Sequence, residues 1–521
     1  MRSSKLACLG IFSKQRWIEL FAIAFLWWNY SGLSVLAAPQ NTQPNTAIQP
    51  YLERVKSQID EFTLDNGLKF IVLENHEAPV ISFVTYANVG GVDEPDGQTG
   101  VAHFLEHLAF KGTKRIGTTN YSAEAKVLDK LDALFDQIKQ AQESQDEAKL
   151  AQLTEKFVAT QSAASEYVEQ NKYGEIVDRA GGVGLNATTS ADYTNYFYSF
   201  PANKLELWMS LESERFLEPV FREFYAEKQV ILEERRLRTD NSPIGKMIEE
   251  FLDTAYTTHP YKRPVIGYTE DINNLTRENV QQFFQTYYAP NNLTMAIAGD
   301  VDPQEVQKLA KTYFGRFKSQ PQPSAVTKVE PPQAETREVT VNFPSQPWYL
   351  EGYHIPALSD PDYPIYEVIS ELLSSGRTSR LYQSLVEEKQ VALSAQGFSG
   401  FPGDKYPNLM LVYALTSPGT SIDQLATAVR AEIERLKTEP VTPMELERVK
   451  TQLKAGLLRT LDSNMGMAQI LAEYEAKTGS WRNIFAELVR LETITPEDIQ
   501  RVAQQSFTAE NRTIGRLLPP S

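Results

Sequence analysis

Two stretches of this chain, residues 275–300 and 494–519, carry one pattern at an offset of 219 residues. The first reads LTRENVQQFFQTYYAPNNLTMAIAGD and the second ITPEDIQRVAQQSFTAENRTIGRLLP. Thr276/Thr495, Glu278/Glu497, Gln281/Gln500, Gln285/Gln504, Asn292/Asn511 and Thr294/Thr513 are identical. Each stretch reads as a threonine-capped helix, a turn and a strand. Chance supplies scattered identities more easily than a shared order of elements, so the chain is expected to fold as two related halves. They are placed at 51–318 and 337–521, joined over 319–336 by a Pro-rich linker, SQPQPSAVTKVEPPQAET.

Periodicity gives the elements of the first half. FTLDNGLKFIVL (62–73) reads as two strands around an Asp-Asn-Gly turn, and 80–89 alternates as another strand. Residues 99–111 turn helical. Residues 120–138 are helical with Leu128, Leu131, Phe135 and Ile138 on one face. The Gln-, Glu-, Ala- and Lys-rich 139–172 suggest a solvated helical hairpin, the body of an insertion over about 129–178. Strands mixed with helices throughout make the class α+β: two related α/β halves, each a mixed sheet packed with helices.

The amino terminus reads as an address. Arg2, Lys5, Lys14 and Arg16 precede an apolar run from Trp17 to Leu36, followed by Ala37-Ala38-Pro39. That is the pattern of a secretory signal over 1–37, with a cut after Ala37. The rival reading is a retained anchor, which Glu19, Asn29 and Ser31 weaken. Cleavage would remove Cys8, the only cysteine, and take the net charge from −16 to −19. A thiol-free mature chain suits a periplasm, the medium or a lumenal compartment. Residues 38–50 read as a flexible linker, and no later segment reads as membrane-spanning. The acidic pI near 5.0 argues against nucleic acid as a partner.

Two of the five histidines fall in His103-Phe104-Leu105-Glu106-His107. At i, i+3 and i+4 these imidazoles and the Glu106 carboxylate share one helical face. Two imidazoles so spaced chelate one ion, with a carboxylate beside it to move a proton; this is the H-x-x-E-H pattern. Zinc suits two nitrogens plus one carboxylate oxygen with a fourth position open to water. A third ligand is available in EKQVILEERR (227–236), where Glu227 and Glu234 share a face two turns apart and Glu233 points about 100° away. His76, His259 and His354 each stand alone and read as structural.

VAHFLEHLAFKGT (101–113), LNATTSADYTNYFY (185–198), EKQVILEE (227–234), HPYKRPVIG (259–267) and YYAPNNLTMAIAGDVD (287–302) together resemble the pitrilysin/mitochondrial-processing-peptidase family of inverted-motif zinc peptidases. The resemblance implies one Zn2+ per chain on His103, His107 and Glu234, with Glu106 as general base. It further implies that Glu227 orients a ligand histidine, and that Asn186 and Ala187 lie on a strand edge that pairs with substrate backbone. Family members enclose peptides between two such halves or subunits, which implies a duplicated architecture forming a peptide chamber and favours short or unfolded substrates.

Two departures from the family pattern stand out. His107 and Glu234 lie 127 residues apart, which the helical insertion accounts for. In the second half, where relatives carry an Arg and, seven residues on, a Tyr, this chain has Val386 and Leu393. Neither can donate a hydrogen bond to a developing oxyanion. The expectation is therefore an exported zinc endopeptidase, the zinc-bearing subunit of a heterodimer whose metal-less partner supplies the Arg/Tyr pair. Arg377, Arg380 or Tyr382 acting in their place, in a self-sufficient chain or a homodimer, is the alternative. A peptide-binding or assembly subunit without hydrolysis is the rival function.

Overall fold

The structure, a computed structural model, describes residues 49–520. The expected signal segment and most of the expected linker lie outside the described residues. The first described helix begins at Gln49, inside the stretch expected as linker. Among the described residues no helix is long and apolar enough to cross a membrane.

The first half contributes β1 (Ile59–Thr63), β2 (Lys69–Glu74), β3 (Val80–Ala87), β4 (Val183–Thr189), β5 (Thr194–Pro201) and β6 (Leu293–Gly299). They form one sheet in the order β1-β2-β6-β3-β5-β4, antiparallel except for β2 and β6. The second half contributes β7 (Arg337–Asn342), β8 (Trp348–Ile355), β9 (Ala392–Phe401), β10 (Asn408–Thr416) and β11 (Arg512–Leu518). Their order is β7-β11-β8-β10-β9, again with one parallel pair at the β7 end. Apart from β1, the two sheets are the same sheet twice.

The repeat has a physical basis in its identical residues. Helices Arg277–Tyr287 and Pro496–Ser506, and strands β6 and β11, keep the 219-residue offset at both ends. Thr276 and Thr495 each close a capping box, accepting from the N–H three residues on. Asn292 donates to the carbonyls of Tyr287 and Asn88, at 2.9 and 3.3 Å. Asn511 donates to those of Ser506 and His354, both at 2.8 Å. One asparagine in each half thus ties the helix end to the neighbouring strand region.

Each sheet is finished by the other half. Helix Pro243–Ala255 of the first half packs on β7 and β11, and helix Asn464–Thr478 of the second packs on β3 and β6. On the second sheet, Gly352 and Gly515 leave room for the helix; a Cβ at either would lie 2.8 Å from Phe251 or 2.6 Å from Met247. On the first, the small residues Ala296 and Ala298 of β6 and Ala468 and Ala472 of the packed helix are all fully buried. At the centre the buried Asp192, in the β4–β5 turn, accepts from the N–H groups of Asp404 and Lys405 and from the Tyr261 hydroxyl. The chain from Tyr51 onward is accordingly one compact unit.

The insertion is a hairpin of helices Tyr121–Glu143 and Glu147–Ser165. Its outer part has a small core of Leu134, Ala141 and Leu153. Its root is packed rather than free: Phe135 and Phe157 lie against Tyr225, each at 5.0 Å between ring centres, and Tyr225 donates to Asp132. Periodicity showed the apolar stripe but not that it faces the helix bearing Glu227 and Glu234.

Candidate active site

The H-x-x-E-H motif lies on helix Val101–Leu108. Gly100 precedes it in the left-handed region (φ 86°), with a Cβ there falling 2.6 Å from the Ile266 carbonyl, so only glycine starts the helix here. The buried Glu94 accepts from the N–H groups of Gly100 and Ala102, both at 2.9 Å, and so satisfies donors that a helix start leaves unpaired. Val101, Phe104, Leu105 and Leu108 bury the remaining faces. Phe104 stacks on Phe224 at 4.6 Å and 12°, setting this helix against helix Phe224–Arg235, which carries Glu227 and Glu234.

Donor atoms of His103, His107 and Glu234 all lie within 4.8 Å of one another. His103 Nε2 is 3.7 Å from Glu234 Oε1, and His107 Nε2 is 3.5 Å from Glu234 Oε2. Ligands about 2.0–2.1 Å from a tetrahedral zinc stand roughly 3.3–3.4 Å apart, so the spacing fits that ion with little movement. Glu233, the competing carboxylate, instead pairs with Arg236 at the surface.

The electrostatics fit as well. Burial drives His103 down to about 4, leaving its imidazole neutral as a ligand must be. Burial opposes ionisation of Glu234, but its bond to His107 and the charges around it prevail and hold it at about 2. His107 is desolvated too, yet the Glu227 and Glu234 carboxylates raise it to about 9. A metal would displace the proton that His107 holds.

Around these three, further groups fix orientation. His107 Nδ1 meets Glu227 Oε1 at 2.9 Å, which leaves Nε2 facing Glu234. Lys111 in turn binds Glu227 Oε2 at 2.6 Å. Glu106 accepts from Thr189 Oγ1 at 2.5 Å, and burial raises its carboxyl above the usual range. Arg238 pairs with Glu234 Oε1 at 2.6 Å. Sequence reasoning passed over Lys111 and Arg238, although each stands four residues after a predicted site residue. Thr189 had no local signal, being 83 residues from Glu106.

β4 is the edge strand of its sheet and ends at Thr189, beside Glu106. Asn186 is exposed and turns its side-chain oxygen onto the Ala187 N–H at 2.9 Å, while the Ala187 side chain is buried in the core. In the second half, Val386 packs against the core and Leu393 on β9 is 50 % exposed. Arg380 is committed within its own half, bonding Glu445 through Nε and Nη2 at 3.1 and 3.2 Å. The other histidines lie elsewhere: His76 bridges Glu74 and Asp300, His259 accepts from the Tyr261 N–H, and His354 meets the Ala255 carbonyl.

Comparison with known proteins agrees with this layout. The model of the insulinase family, peptidase family M16, matches residues 69–132 and 140–269, the region bearing all the motif residues. The model of the peptidase M16 inactive domain matches residues 274–453. A zinc protease of Helicobacter pylori, PqqE, is 31% identical over 434 residues, 82% of this chain and 84% of that one. The crystal structure of a protease from Helicobacter pylori superposes with a TM-score of 0.75 at 28% identity, over 88% of this chain and 99% of that one. The periplasmic protease PqqL from Escherichia coli shares the fold, with a TM-score of 0.66 at 19% identity over 89% of this chain but 48% of its own. With a relative this similar along most of both sequences, and family models matching both halves, the chain belongs to peptidase family M16.

Proposed function

We propose that this chain is a zinc-dependent endopeptidase for short or unfolded peptides. The observation that carries the reading is the convergence of His103, His107 and Glu234 beside Glu106. Zinc held by those three side chains would acidify a water and polarise the scissile carbonyl. Glu106, oriented by Thr189, takes the water's proton and passes it to the leaving amine. Glu227, charged and held by Lys111, keeps the His107 ring in place. The free edge of β4 pairs with the peptide backbone through Asn186 and Ala187, a mode that accepts extended chains of varied sequence.

The same reading makes this chain the metal-bearing member of a pair. Val386 and Leu393 offer no donor, and Arg380 is tied to Glu445. A chain of this fold joined to a second of similar length, as the 48% match within PqqL implies, supports pairing. Zinc-loaded 38–521 on a quenched unstructured peptide is expected to turn over slowly alone, and about 10²–10³-fold faster with a motif-less M16 chain supplying Arg and Tyr, the worth of one oxyanion donor. Equal rates with and without such a chain would sink the heterodimer. Export with signal cleavage is the remaining part of the proposal, and amino-terminal sequencing of the mature protein should read Ala38 first; an intact Met1 refutes the cleavage.

A further inference from the structure

We propose that Arg238 is a specificity residue that binds a carboxylate of the peptide, an acidic side chain or a free carboxy terminus, beside the scissile bond. The inference rests on the peptidase reading above and adds a substrate class to it. Arg238 stands one turn past Glu234, where helix Phe224–Arg235 widens into a π-turn over Arg236–Asp240. Its backbone is a rigid mount: a Cβ at Gly245 would fall 2.0 Å from the Arg238 carbonyl, and Thr239 beside it is buried. Its side chain is 57 % exposed and reaches back along the helix, so that Nη1 meets Glu234 Oε1 at 2.6 Å. The guanidinium charge is felt at His103 and Glu106 as well, so it acts on the whole metal-ligand cluster.

The three arginines of this run differ in what satisfies them. Arg235 is buried and commits its donors to Thr269, the Gly267 carbonyl and Glu249. Arg236 pairs with the exposed Glu233. Arg238 has, among the described residues, Glu234 as its sole bonded partner, and through one nitrogen. The Nε–Nη2 edge, a pair of parallel donors that matches a carboxylate, is left open. Glu234 is also the acid whose charge a bound metal takes up. Lys111, the other cation at the site, keeps Glu223 and Glu227 at 3.3 and 2.6 Å whether or not a metal is bound. Of these two cations, Arg238 is therefore the one short of an anion in the loaded site, and the peptide can bring one. A carboxylate there gains two charge-assisted bonds, an amide lacks the charge, and an ammonium is repelled.

Reach sets the position. Arg238 lies one hydrogen bond from a carboxylate oxygen of Glu234, and Glu234 is one of the three metal ligands on the reading above. An extended peptide advances about 3.3 Å per residue, so the selected carboxylate falls within about two residues of the bond that is cut. A free carboxy terminus held there would make the protein trim short pieces from a chain end. An acidic side chain held there would direct cuts within a chain.

The test uses two sets of quenched peptides on the full mature chain, with a motif-less M16 partner present. One set places glutamate against glutamine at one position at a time; the other differs only in a free or amidated carboxy terminus. In at least one set the carboxylate is expected to gain about tenfold or more in kcat/KM, the worth of one charge-assisted hydrogen bond. The set that responds names the source of the carboxylate. Each ratio comes from a single protein sample, so zinc occupancy cancels from it. In Arg238→Gln the ratio should fall to within about twofold, and Arg238→Lys should restore part of it. A ratio near one in both sets, or a ratio that survives Arg238→Gln, overturns the assignment. Labelled peptides of both sets are titrated in parallel onto Glu106→Gln, which reads binding without turnover. If no peptide is cleaved under any condition, the peptidase reading fails, while equal affinities in this titration defeat the carboxylate site by themselves.

Discussion

Glu106→Gln is expected to cut peptide turnover by about 10²–10⁴-fold while the protein still binds one zinc per chain. Glutamine has the shape of glutamate and can still accept from Thr189 Oγ1, so the helix and the three ligand side chains stay where they are. What it cannot do is take a proton from water. The measurement is kcat on an unstructured quenched peptide, with zinc content determined on the same sample. If turnover stays within about threefold of the parent, Glu106 is not the base. Loss of zinc along with activity would mean the substitution disturbed the ligands instead. The result also separates an enzyme from a peptide-binding or assembly subunit, because a subunit without hydrolysis has no activity for the substitution to remove.

Glu212→Ala is expected to destabilise the fold by about 3–5 kcal/mol, because it strands a buried arginine. Glu212 is wholly buried and accepts from Thr85 at 2.5 Å, from Tyr173 and Tyr198 at 3.3 Å each, and from Arg215. Arg215 is 2 % exposed, and its guanidinium lies over the rings of Tyr196 and Tyr173 at 4.8 and 5.0 Å. Without Glu212 that cation keeps only ring faces. Removing both charges, as in Glu212→Leu with Arg215→Met, should cost less than Glu212→Ala alone, since no unpaired charge remains. Urea unfolding of the three proteins decides this; a loss below about 1 kcal/mol for Glu212→Ala would show that the pair contributes little. The consequence reaches the site, because Tyr196 pairs with Ala187 on β4.

The site was legible in the sequence to the extent that its spacing is local. His103, Glu106 and His107 sit within two helical turns, and Glu227 and Glu234 within one short helix, so periodicity alone put each set on one face. That the two helices meet depends on Phe104 stacking against Phe224, a contact that no spacing encodes. The duplication was legible because identical residues make identical bonds: Thr276 and Thr495 as caps, Asn292 and Asn511 as ties. The exchange of helices was not. Pro243–Ala255 and Asn464–Thr478 bury apolar positions that show something must cover them, but periodicity does not say which sheet does so. Asp192 likewise reads as an ordinary turn residue until the backbone of Asp404 and Lys405 is seen bonded to it.

The exchanged helices also set a schedule for synthesis. A ribosome adds about 5–20 residues each second and domains commonly fold as they emerge. Here the first sheet waits for a helix that ends at Thr478, close to the end of the chain. Until then the sheet face formed by β3 and β6 has nothing to cover it. The nascent first half is therefore expected to keep that face uncovered until the second half is made, so that the two halves close together in one late step.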